Sequence, residues 1–207
     1  MYSKIKLAMI IISIALLSAC GGGGGGSAPA ASVLSNDNNP LKKYDGTYYI
    51  CDQNGHSKTT LTVVAAGSNS MTMSMSEATY QSVNCTGTIV GTLSFPLPLT
   101  ATYQSQTTAN FPHVTIMPRA DTVDGVSVSS PAMTAQLTGT GVSGNCVNYT
   151  NGNLCYDNLV SPAQTAVGAA YLRGNYFVTF SLLNGVLASD GIYSKDPAFG
   201  YSMLVPN

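Results

Sequence analysis

The chain has 207 residues, only 8% of them charged, and a formal net charge of −1 at pH 7. Nucleic-acid binding draws on clustered Lys and Arg, and eight basic residues scattered along the sequence exclude it. The length fits one domain large enough to bury a real core.

In chain order, Lys4 and Lys6 come first, and Leu7 to Leu17 is then apolar apart from Ser13. That run is shorter than the roughly 20 residues a membrane-spanning helix needs and matches a signal-peptide h-region. It ends in Leu17-Ser18-Ala19-Cys20. Small residues before a cut let the chain lie extended in a peptidase groove, and a thiolate after it is a ready nucleophile for a lipid. Leu-Ser-Ala-Cys resembles the lipobox of bacterial lipoproteins. The resemblance implies that residues 1–19 are a cleaved signal peptide, that Cys20 carries a thioether-linked diacylglycerol, and that in many bacteria its amine is acylated as well. One acyl chain binds a membrane only marginally, with an association constant of about 10⁴ M⁻¹, whereas two or three on one residue hold the protein there. By resemblance to lipoproteins of Gram-negative bacteria, Gly21 in the place of Asp implies sorting to the outer membrane.

The six glycines Gly21 to Gly26 and the polar residues up to Pro40 can bury nothing. Residues 20–40 therefore read as the lipidated cysteine followed by a flexible tether, with an end-to-end distance of roughly 25 Å. Lys4 and Lys6 leave with the signal peptide, so the mature chain holds six basic and nine acidic residues, net −3.

Residues 41–207 read as one all-β domain, because period-2 patterning dominates. Expected strands cover Thr60 to Ala65, Met71 to Ser76, Thr88 to Phe95 (Ile89, Gly91, Leu93 and Phe95 on one face), Leu99 to Gln104, His113 to Met117, Met133 to Gly139 and Asn175 to Leu183. Turn residues break them at Gly67-Ser68-Asn69, Pro96 and Pro98, Asp121 to Gly125, Gly141 to Asn145, Asn184-Gly185 and Asp190-Gly191. Many short strands with such breaks predict an antiparallel barrel or a β-sandwich. One short helix is predicted near 162–172, since Ser161-Pro162-Ala163-Gln164 fits a capping box and alanines follow it. Asp45-Gly46-Thr47-Tyr48 resembles the Gly-x-Trp entry of lipocalin-like barrels, with Tyr48 in the place of Trp, which this chain lacks altogether. The resemblance implies a barrel, and leaves the sandwich as the alternative.

Cys51, Cys85, Cys146 and Cys155 are an even set in an exported chain, so they are expected to form two disulfides. Three pairings exist; Cys51–Cys85 and Cys146–Cys155 join near neighbours and close most easily. Cysteines opposite each other in a hairpin would set Asn148 against Asn153. The loop Tyr149-Thr150-Asn151-Gly152 would follow, with Gly152 free to take positive φ. The spacings do not suit zinc. Met71, Met73 and Met75 share a face where thioethers could hold Cu(I), but methionines there are read as core filling, and no metal or cofactor is expected.

Catalysis finds no assembled set: His56 and His113 are the only histidines, Gly-x-Ser-x-Gly is absent, and the carboxylates are sparse. The expected function is therefore a non-enzymatic, lipid-anchored binding module of the cell envelope. The first version places a small molecule in a barrel mouth. The second is a structural or adhesive surface protein whose exterior contacts a glycan or a protein. An abundance of tyrosine, twelve residues in all, suits either version.

Overall fold

The computed structural model describes residues 38–52, 55–110, 120–183 and 186–200. The predicted leader, Cys20 and most of the tether lie outside them, as do the expected His113 to Met117 strand and the Asn184-Gly185 turn.

A 3-10 turn, Lys42–Tyr44, leads into β1 (Gly46–Cys51), β2 (Ser57–Ala66), β3 (Ser70–Ser82), β4 (Thr86–Ser94), β5 (Leu99–Asn110) and β6 (Ala120–Ser130). Short strands follow: β7 (Met133–Thr134), β8 (Gln136–Thr138), β9 (Val142–Ser143), β10 (Cys146–Tyr149), β11 (Gly152–Cys155) and β12 (Val160–Ser161). Three longer ones end the described chain: β13 (Gln164–Arg173), β14 (Tyr176–Leu183) and β15 (Val186–Ser194).

Eight strands close on themselves in the order β1-β2-β3-β5-β6-β13-β14-β15. Every neighbour is antiparallel, and the pair Tyr49↔Ser194 joins the last strand to the first. The result is a closed barrel consistent with the lipocalin-like expectation, and the sandwich alternative falls. Closure removes the exposed edges that an open sheet must otherwise protect.

One strand serves two structures. The first part of β3 pairs with β5 (Ser70↔Thr102 to Met73↔Leu99), and its last part pairs with β4 (Ser76↔Ser94 to Ser82↔Thr86). Beyond the barrel, β3, β4 and β8 therefore form a flange. The small sheet β9-β10-β11 packs on that flange around Val90, Leu93, Val147, Leu154 and Tyr156.

The main core is the barrel interior, to which all eight strands contribute. Tyr48, Leu61, Val63, Met71, Met73, Ala101, Val126, Ala170 and Phe177 are buried there, with Leu41 and Tyr44 from the entering segment. The methionines thus fill core space, as read from the sequence, with Met75 at the edge. A second apolar cluster sits on β6, β13, β14 and β15, where Val123, Tyr171, Val178 and Ile192 meet Phe199.

Five local expectations are corrected. The helix near 162–172 is strand β13, with no α-helix among the described residues. It pairs with β6 from Gln164↔Ser130 to Ala170↔Asp124 and with β14 from Gly168↔Ser181 to Arg173↔Tyr176. A ten-residue helix is marginal in water, whereas here two ladders satisfy the backbone and the β-branched Thr165 and Val167 fit a pleated surface. The expected Asp121 to Gly125 turn lies within β6, and Asp190-Gly191 lies within β15, where Asp190 is the extra residue of a bulge. The single strand expected over 133–139 is split into β7 and β8. A further bulge opposite Thr79 and Tyr80 breaks the alternation of β4, so Ile89 is exposed while Val90 and Leu93 are buried.

Candidate functional site

The segment before β1 is a plug. Asn39 is buried, and its amide Nδ2 lies 2.6 Å from the Ser70 carbonyl, 3.2 Å from Gly67 and 3.4 Å from Ala66, all at the β2–β3 turn. The Asn39 Oδ1 also accepts from Leu41 N at 2.9 Å. Asp45 accepts from Ala65 N. The folded unit, expected from residue 41, therefore already includes Asn39. Between these two clasps Leu41 and Tyr44 enter the barrel, 0% and 1% exposed. The Tyr44 ring meets Phe177 edge-on at 5.4 Å, and the Tyr48 hydroxyl donates to the Tyr44 carbonyl at 2.9 Å.

At the inner end of Tyr44 stands a carboxylate. Asp124 on β6 is 1% exposed. Its Oδ2 accepts from the Tyr44 hydroxyl at 2.7 Å and lies 2.7 Å from Lys43 Nζ, while Gln106 Nε2 reaches Oδ1 at 3.3 Å. The Tyr44 hydroxyl also lies 2.9 Å from the Ala170 carbonyl. Burial, then the Asp124 carboxylate, holds the Tyr44 phenol protonated well above its ordinary range. The Tyr48 phenol is pushed up to about 12, chiefly by burial and then by Asp45. A buried carboxylate left without a partner costs several kcal/mol. Among the described residues three side chains satisfy this one, and two of them, Lys43 and Tyr44, belong to the plug.

A second acid, half-buried, lies where the small sheet docks on the flange. Glu77 Oε1 accepts from the Tyr156 hydroxyl at 2.9 Å. Burial raises the Glu77 carboxyl above its usual 4.5; hydrogen bonds from Tyr156 and Ser57 oppose the rise, and the charge of Asp52 adds to it. Asp52 is raised too, by burial, against the influence of His56. The Thr79 hydroxyl, buried beside that of Tyr156, makes no hydrogen bond of normal geometry. His56 stacks on Tyr149 at 3.8 Å, its Nδ1 3.0 Å from the Tyr80 carbonyl, and Gln81 Nε2 donates to Thr150 at 2.6 Å. These contacts clamp the β10–β11 hairpin in place. Among the described residues no three His, Cys, Asp or Glu are placed to hold a metal.

The cysteines pair as expected, Cys51–Cys85 and Cys146–Cys155. The hairpin register is also the expected one, Cys146↔Cys155 and Asn148↔Asn153. Its turn is tighter than foreseen: Tyr149↔Gly152 pair, and Asn151, not Gly152, takes the positive φ of 66°. Asn tolerates that conformation better than most non-glycine residues. Cys20 lies outside the described residues, and so does His113, so a histidine-based site is not assembled among those described.

On the outside, an open groove of about 490 Å³ is lined by Pro98, Thr100, Ser129, Ser130, Pro131, Ala163, Gln164 and Thr165. It ends a row of hydroxyls running across the barrel wall. Cross-strand pairing aligns Thr72, Thr100, Ser129 and Thr165, and beside them Ser70, Thr102 and Ser127. All seven are at least partly exposed, and none is charged.

Sequence reading missed Asp124, because Asp next to Gly125 looks like turn chemistry. The available signal was its setting, Val123-Asp124-Gly125-Val126: a lone acid inside an apolar run is a candidate for burial with a partner. Tyr44 and Lys43 carried no such signal.

Known protein families, curated proteins and solved structures were all compared with this chain, and none matches it.

Proposed function

We propose that this chain is an exported lipoprotein, cut before Cys20, anchored by lipid in the outer membrane, and serving as a non-enzymatic binding module that works through its exterior. The observation that carries the exterior reading is the filling of the barrel. Leu41, Tyr44, Tyr48, Met71 and Phe177 occupy the space where a small ligand would sit, and an eight-stranded barrel has room for side chains or for one small ligand. The two disulfides favour an oxidising compartment, which fits export. The uncharged hydroxyl rows and the groove at their end offer donors and acceptors without fixed charge. That suits a neutral glycan or a polar protein face better than nucleic acid or anionic lipid.

Two measurements test the reading. Cys20→Ser should leave the chain uncleaved or soluble while the barrel still folds; a variant processed and retained in the membrane as before would end the anchor proposal. Native mass spectrometry of the chain purified from its own cells should give the polypeptide and its lipid alone. A small molecule released on denaturation would overturn the exterior reading.

A further inference from the structure

We propose that the plug is an exchangeable occupant held in cis, and that the barrel end it fills is a binding site for an aromatic cation bearing a phenol. The idea goes beyond the exterior reading, which holds for the plugged state: a co-purifying ligand would overturn that reading, whereas failure of the probe below to bind would leave it standing.

The argument starts from what the barrel wall supplies and what it lacks. Strands β6, β13 and β14 provide a buried carboxylate (Asp124), a carbonyl (Ala170) and an aromatic edge (Phe177). Among the described residues, the wall's own side chains answer that carboxylate with one neutral donor, Gln106 at 3.3 Å. The compensating ammonium and the shorter hydrogen bond come from Lys43 and Tyr44, which belong to no strand. With Lys43 and Tyr44 withdrawn, the buried carboxylate would lose its counter-charge, which is costly away from water, so the emptied wall favours a group that replaces them. The wall is complementary to a ring, a hydroxyl and a cation together, and Lys43-Tyr44 presents that set: Lys43 Nζ sits 5.3 Å from the Tyr44 ring centre as well as 2.7 Å from Asp124.

The plug is also built to leave as one piece. Its clasps, Asn39 on the β2–β3 turn and Asp45 on Ala65 N, are polar and lie at its two ends. Lys43 is half exposed, so the ammonium side of the site is open to solvent. None of the eight barrel strands includes a plug residue, so withdrawal of 38–45 breaks no barrel ladder. A ligand that competes with the plug binds with an affinity reduced by the fraction of time the plug is out.

3-Hydroxybenzylamine is the probe, because its phenol and ammonium, meta to each other, can both reach one carboxylate oxygen as Tyr44 and Lys43 do. With the full chain, the double variant Lys43→Ala, Tyr44→Ala should bind it at least tenfold more tightly than wild type by calorimetry. Benzylamine, without the hydroxyl, and m-cresol, without the amine, should each bind at least tenfold more weakly to that variant, and adding Asp124→Asn should abolish binding of the probe. Equal affinity for the double variant and wild type, or indifference to Asp124→Asn, would overturn the proposal. Hydrogen exchange on the wild type keeps the question decidable if the variant does not fold. Saturating 3-hydroxybenzylamine should speed exchange in residues 38–45 severalfold while β6 and β13 stay protected. Unchanged exchange in that segment would count against an exchangeable plug.

Discussion

Glu77 is a half-buried acid whose titration can be followed in solution. Its folded pKa is raised, so the native state binds the proton more tightly than the unfolded chain does. The stability this gives is full below the unfolded value, near 4.5, and is lost as pH rises through the folded value. Asp52 shifts in the same direction and adds to the trend. Glu77→Gln keeps an acceptor for Tyr156 and cannot ionise. The variant should match wild type near pH 4 and exceed it at neutral pH, as read from urea midpoints; an unchanged slope would show that Glu77 is not the titrating group. Gly91 is a second residue with a sharp expectation. A Cβ there would lie 2.4 Å from Val147 Cγ1, so the small sheet can seat on the flange only because that Cβ is missing. Gly91→Ala should cost about 1–3 kcal/mol, the usual range for overpacking. Val147→Ala in the same chain should return part of it, measured as a double-mutant cycle in denaturant.

At the scale of elements, the β10–β11 hairpin shows how far cysteine arithmetic reaches. Two opposed cysteines fixed which residues face each other, because pairing across antiparallel strands is a constraint on sums of residue numbers. The turn itself was less legible, since Asn and Gly both accept positive φ and the sequence offers both at 151–152. Replacing Cys146 and Cys155 together by Ala should cost roughly 2–3 kcal/mol on the chain-entropy account. The loss should appear as a lower urea midpoint for the whole molecule, with hydrogen exchange quickened most in β9–β11, because barrel pairings do not run through them. Strand β13 marks the opposite case. Its capping-box start and alanines favour a helix locally; β14 pairs with its later half as the next strand, but the partner at the capping-box end, Ser130 opposite Gln164, sits on β6, 34 positions earlier. The strands with strict alternation and no local rival, such as Met71 to Ser76, were readable outright. The site was the least legible part, because Asp124 and Tyr44 are 80 positions apart and nothing local to either announces the other.

For the whole molecule, strand β3 sets the behaviour. Its inner stretch is a stave of the barrel, and its outer stretch is the floor on which the small sheet rests. Wall and lobe therefore share a single length of backbone and have no linker between them at which one could come apart from the other. A calorimetric scan should give one peak whose van't Hoff and calorimetric enthalpies agree; two resolved peaks would mean the lobe melts alone. The same sharing has a consequence for sequence change. Shifting the pairing of a strand by one residue exchanges its two faces, so a single inserted residue near Met75 would break phase between two structures at once. Wherever else this chain can drift in length, β3 should be the stretch that cannot.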